Sequence, residues 1–135
     1  MSLDVEALRS SFALVVEREP DVVKRFYGHL FSRYPQVRPL FGRNSEDKQQ
    51  QMLTSALVAV VDHLEDAPWL VENLAALGRR HDDYGITPEM YPWVGECLVQ
   101  SLSEVAGDAW TPRVRDAWLG AYGAICGLMG VPAKA

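Results

Sequence analysis

Eight prolines divide the chain, and the stretches between them are apolar at helical spacing, with none of the alternation that a half-buried strand would show. That combination leaves one fold class, all-α. The first helix is expected from about Leu3 to Arg18, with Val5, Leu8, Phe12 and either Val15 or Val16 turned inward. Pro20 opens a second that runs to about Tyr34 and buries Val23, Phe26, Tyr27, Leu30 and Phe31. Between Pro35 and Phe41-Gly42 there is room for one short helical turn, and Arg43 to Asp47 reads as a polar loop. From about Glu46 to Glu65 a stripe of Leu53, Leu57, Val60 and Leu64 marks a third long helix, with Gln49 one helical step before Leu53. Two more, Pro88 to about Ala106 and Pro112 to about Met129, are each introduced by Thr-Pro, an N-cap followed by a residue suited to the first turn.

The remaining helix carries the most informative residue. Counting back from His81 in helical steps gives Leu77, Leu74 and Leu70, and at about 100° per residue all four point within roughly 40° of one direction. Asp82, Asp83, Tyr84 and Gly85 then break the short helix. An apolar face that ends in imidazole is either a core histidine satisfied by a nearby carbonyl or a ligand facing a cavity, and this stretch alone leaves both open. His29 falls off the apolar face of its helix, and His63 lies roughly 80° to the side of the Leu53 stripe, so both read as rim or surface residues.

At 135 residues, 48% hydrophobic and 23% charged, the chain is expected to form one globular domain over residues 1–135. Its net charge of −5 argues against a nucleic-acid partner. The acidic amino terminus is unlike a signal peptide, and no run reaches the ~20 apolar residues that span a bilayer, so a cytoplasmic protein without membrane insertion is expected. Cys97 and Cys126 read as buried thiols in helices, not as a disulfide or zinc ligands. Gly120, Gly123, Ala124 and Gly127 line one side of the last helix, which suggests close approach of another helix or a soft carboxyl-terminal end.

The sequence has no GxSxG, HExxH, repeated Glu-x-x-His or glycine-rich phosphate loop. What helices with a lone inward histidine can still build is a bundle cavity that holds a cofactor through one axial ligand, and neutral imidazole suits iron. Tyr27 and Gln49, each a hydrogen-bond donor on an otherwise apolar face, are the polar groups expected across such a cavity.

FYGHLFSRYPQVRPLF at 26–41, HDDYGITPEMYPWVGECL at 81–98 and DAWLGAYGAI at 116–125 closely resemble the haem domain of bacterial flavohaemoglobins and their single-domain relatives. The resemblance covers essentially the whole chain and implies a globin fold, about seven helices around a haem pocket, with haem b as cofactor. Carried over residue by residue, it makes His81 the proximal iron ligand, Phe41 the aromatic wedge on the porphyrin face and Tyr27 the distal tyrosine. Gln49 becomes the distal glutamine if the 42–47 loop is two residues shorter than in the family, with Gln50 as the alternative; in that register Leu53 and Leu57 are pocket leucines. Tyr91 matches a proximal tyrosine and Ile86 an apolar contact at the haem edge. One departure stands out: the family's glutamate late in the last helix, partner of the proximal histidine and tyrosine, aligns with Ala133. The flavin and nicotinamide domains are expected to be missing, since the chain stops at Ala135. The function implied is reversible binding of oxygen and other diatomic gases at five-coordinate iron, for carriage, storage or delivery. The alternatives are a nitric oxide dioxygenase served by a separate flavin reductase and, third, a gas sensor.

Overall fold

The computed structural model describes residues 3–41 and 45–130. Its α-helices there are α1 (Val5–Arg18), α2 (Val22–Arg33), α3 (Glu46–Asp62), α4 (Ala67–Asp83), α5 (Met90–Ala106) and α6 (Pro112–Leu128). Short 3₁₀ segments cover Pro35–Phe41 and Gly107–Ala109, and no strand occurs among the described residues. Small polar side chains begin four of the helices: Asp4, Ser45, Asp66 and Thr111 each accept a hydrogen bond from the backbone N–H three residues on. Each satisfies one of the donors that a helix start leaves without an intrahelical partner.

The core is built on α5, which packs against α1, α2 and α6. Leu8, Val15, Leu30 and Leu102 are about 1% exposed, and burial of each such side chain stabilises the fold by about 1.5–3 kcal/mol. Val15, not Val16, is the inward valine of α1; Val16 is 37% exposed. The polar groups drawn into this core are paired. Trp118 Nε1–H donates to Ser11 Oγ at 2.9 Å, and the Ser11 hydroxyl donates to the Ala7 carbonyl at 2.6 Å. At the far end Arg18 donates to the last carbonyls of α5, Val105 and Ala106.

Several details differ from the sequence reading. The helix that carries His81 is not short; it runs 17 residues. α5 begins at Met90, because residues 87–90 close a turn in which the Met90 N–H bonds to the Thr87 carbonyl before the helix starts. Among the described residues the glycine stripe of α6 meets nothing: a Cβ at Gly120, Gly123 or Gly127 would have no heavy atom within 4 Å outside its own helix. Close approach is served by two other glycines. A Cβ on Gly78 of α4 would sit 2.0 Å from the Met129 carbonyl oxygen, and one on Gly95 of α5 would lie 2.7 Å from the Tyr122 ring. Ala133, the position of the missing glutamate, lies outside the described residues, as do Gly42 and the first part of the 43–47 loop.

Alone among the six α-helices, α3 buries no residue. Its Leu53, Leu57 and Val60 stripe faces a cavity enclosed with α4, α5 and α6.

Candidate cofactor cavity

α4 ends in a way that sets the cavity's chemistry. Gly85, at φ 85°, takes the left-handed conformation that stops the helix. The Gly85 N–H then bonds to the Asp82 carbonyl and the Ile86 N–H to the His81 carbonyl, the paired bonds of a Schellman cap. Such a cap folds the residue after the glycine back onto the last turn, so Ile86 and His81 line the same cavity. The sequence DDYGI thus does two jobs: it ends α4 and closes one wall.

The imidazole is fixed in tautomer as well as position. Its Nδ1 lies 2.9 Å from the Leu77 carbonyl, which can only accept, so Nδ1 carries the proton and Nε2 presents a lone pair. Burial holds the His81 pKa below the usual histidine value, opposed by the Leu77 bond, and keeps the ring neutral at pH 7. His29 and His63 are placed differently. His29 Nε2 pairs with Glu104 at 2.8 Å across the α2–α5 surface. His63 binds the Ala59 carbonyl and stacks on Trp69 with ring centroids 3.9 Å apart.

The cavity is an apolar chamber of about 180 Å³ with a wider mouth of about 640 Å³ that shares Ala56, Leu77, His81, Ile86, Met90 and Val94 with it. Leu53, Leu57 and Tyr91 line the chamber; Phe41 and Gln49 line the mouth. Lys48 and Arg80 stand at the mouth with the exposed Met52 and Tyr84. On the His81 side, the Tyr91 ring lies 6.2 Å from the imidazole and its backbone carbonyl accepts the Tyr122 hydroxyl. Burial raises the pKa of both tyrosines, and the neighbouring Cys126 raises that of Tyr122 further. Cys126 is a half-buried free thiol on the chamber wall, not a core thiol like Cys97.

Tyr27 does not line this cavity. Its ring stacks on Phe31 at 5.7 Å and meets Phe41 edge-on at 5.6 Å, which sets it behind Phe41, in an adjoining cleft of about 470 Å³. Gln49 and Phe41 line both spaces, and the Gln49 amide Nε2 reaches the Tyr27 oxygen at 3.4 Å. Gln50 lines only the Tyr27 cleft of the two. Tyr122, Cys126 and the mouth cations Lys48 and Arg80 are absent from the sequence-based site. A signal for part of this was present: Trp118, Ala121, Tyr122, Ile125 and Met129 recur at helical spacing on the face of α6 opposite its glycines, and all five line the chamber.

One imidazole cannot hold a bare metal ion firmly, but it completes the coordination of an iron already held in a flat ring. His81, the apolar walls and the two cations at the mouth could hold a haem, with its ring in the apolar space and its carboxylates outward.

The globin family profile matches residues 24–129, and the chain belongs to the globin family. It is 33% identical over 123 residues to the flavohemoprotein of Bacillus thuringiensis, a match that covers 90% of this chain and 30% of that one. The chain thus spans about a third of the length of the curated relatives it matches. Among solved structures it resembles an engineered carbene transferase from Rhodothermus marinus, a protein provisionally designated a nitric oxide dioxygenase. The TM-score is 0.80 at 27% identity, over 93% of this chain and 87% of that one. A bacterial globin of Campylobacter jejuni shares the fold, with a TM-score of 0.77 at 22% identity over 93% and 90% of the two chains. Among the described residues no helix is long and apolar enough to cross a membrane.

Proposed function

We propose that residues 1–135 form one globin domain that binds haem b and takes up oxygen reversibly at a five-coordinate iron. The observation that carries the reading is His81: Nδ1–H is bound to the Leu77 carbonyl, and Nε2 is left with a lone pair in a space walled by leucines. A carbonyl behind the imidazole orients the ring and raises the basicity of the ligating nitrogen. Phe41 and Ile86 would pack against the ring system, with Leu53 and Leu57 on the α3 side and Tyr91 beneath the histidine. Lys48 and Arg80 would pair with the propionates at the mouth.

Haem supplies a ferrous iron that binds diatomic gases. This chain's own residues set how long a gas stays. Gln49 lines the mouth and its amide donates to the Tyr27 oxygen, so Tyr27 would act on that space through the Gln49 side chain it holds. The biological role proposed is carriage, storage or delivery of oxygen in the cytoplasm.

A second reading rests on the same polar pair and on the designation of the Rhodothermus marinus relative. Donors aimed at developing negative charge would suit nitric oxide dioxygenation, with electrons from a separate flavin reductase. Steady-state nitric oxide consumption separates the two. Oxygen binding that reverses under vacuum, with no sustained consumption when a flavin reductase and NADH are supplied, is the result expected for the carrier. Sustained turnover would replace it with the enzyme.

A further inference from the structure

Phenylalanine would fill the α6 wall of the chamber as well as Tyr122 does, so the hydroxyl needs its own account. It donates to the backbone carbonyl of Tyr91, in the first turn of α5. In a helix that carbonyl is the acceptor for the N–H four residues on, that of Gly95, and the Gly95 N–H approaches the same hydroxyl oxygen. A side chain of α6 thus sits at the first rung of α5. Gly95 makes the room: a Cβ there would lie 2.7 Å and 2.9 Å from two carbons of the Tyr122 ring. The rung is one that needs support. Tyr91 is helical although Pro92 follows it, and a proline clashes with a helical residue before it. Tyr91 is 7% exposed and its ring lies 6.2 Å from the His81 imidazole, so the backbone that Tyr122 holds is the one that carries the ring beside the histidine.

We propose that Tyr122 is a positioning residue: from α6 its hydroxyl staples the first turn of α5 and so sets the Tyr91 ring against the His81 imidazole. The anchor is the backbone of α5, not the Cys126 thiol that also neighbours the hydroxyl. With haem bound, a Tyr91 ring held in place limits how far the imidazole can turn about its bond to the Leu77 carbonyl, and so narrows the iron–imidazole geometry. That last step rests on the haem reading; the staple is a property of the chain alone.

Tyr122→Phe keeps the ring and removes only the hydroxyl. Amide exchange and ring-to-ring nuclear Overhauser contacts, measured by NMR on the chain as purified, read the staple without haem. In Tyr122→Phe the Gly95 amide should exchange about fivefold to tenfold faster, as for one lost hydrogen bond, and the Tyr91–His81 ring contact should weaken, while amides of α1 and α2 keep their wild-type rates. Cys126→Ala should leave both signals at wild-type values. In the haem-bound protein the iron–imidazole stretching band, read by resonance Raman scattering, should shift and broaden in Tyr122→Phe at full haem occupancy. Faster exchange throughout the chain would make the hydroxyl a general packing contact and overturn the staple. An unmoved Tyr91–His81 contact, or the same loss in Cys126→Ala, would overturn the positioning role, and an unmoved band would overturn its reach to iron. A wild-type chain with no Soret band would end the haem reading and leave the amide and ring measurements to decide the staple.

Discussion

The two walls of the cavity are held by different means. On the His81 side, functional groups are tied to backbone: imidazole to the Leu77 carbonyl, Ile86 through the cap on His81, Tyr122 to the Tyr91 carbonyl. Helix packing there is close enough that Gly78 lies against the backbone of Met129. On the Phe41 and Gln49 side, side chains hold side chains. Phe31, Phe41 and Tyr27 form an aromatic cluster, Gln49 reaches Tyr27 at 3.4 Å, and α3 buries nothing. A ligand bound to backbone carbonyls keeps its direction when neighbours change. A donor held by another side chain moves with its partner, so the first wall fixes a cofactor and the second tunes what binds opposite it.

The largest effect should come from forcing the backbone-tied wall apart. Gly78→Ala places a Cβ 2.0 Å from the carbonyl oxygen of Met129, the residue that caps α6, so α4 and the end of α6 must move apart, at a cost of about 3 kcal/mol, the upper part of the range for overpacking. Gly127→Ala meets nothing and should instead stabilise α6 by about 0.5–1 kcal/mol through helix propensity. Urea unfolding of the two variants gives the comparison directly, and shifts of the same sign would show that the α4–α6 contact is not as close as described.

A subtler difference is expected across the cavity. Tyr27 reads from the sequence as the better-ordered donor, but its bond to Gln49 makes the pair one unit. In the haem-bound protein Tyr27→Phe and Gln49→Leu should each speed oxygen release by about tenfold, as for a lost hydrogen bond to a polarised ligand, and the double variant by much less than the product. Stopped-flow oxygen release measures this. Fully multiplicative effects would mean that the two side chains act independently.

The smallest effect is alkaline. Burial raises the pKa of Tyr27, Tyr91 and Tyr122 above the ordinary tyrosine value of 10.0. Their stabilisation is fully present below pH 10.0, the unfolded value, and is lost as pH rises through the folded values, because only the unfolded chain ionises in that window. Urea midpoints should therefore fall above about pH 10, and fall less steeply in Tyr122→Phe. An unchanged slope in that variant would place its hydroxyl in water.

How much of this was legible in the sequence follows from the same contrast. The leucine stripe that ends in His81 could be read because one helix face, repeated over four positions, needs no knowledge of its partner. The DDYGI cap was legible as a break, and the wall it builds with Ile86 followed from backbone geometry. The glycines of α6 left close approach and a soft helix end both open, since a periodic row of small residues looks the same whether it meets a helix or faces outward; only the position of α4 decides. Gly78, a single glycine beside two arginines, gave no pattern at all. Tyr27 shows a further limit. Periodicity told which face of α2 it occupies, but which of two adjoining spaces it enters depends on how Phe31 and Phe41 pack.

Haem titration of the purified apoprotein, followed by absorption, tests the central claim most directly. Wild type and His63→Ala should develop a saturating Soret band at one equivalent, while His81→Ala should bind weakly and recover with added imidazole, because among the described residues only His81 presents a free nitrogen lone pair to the chamber. A Soret titration in His81→Ala that matched wild type without imidazole would contradict the account.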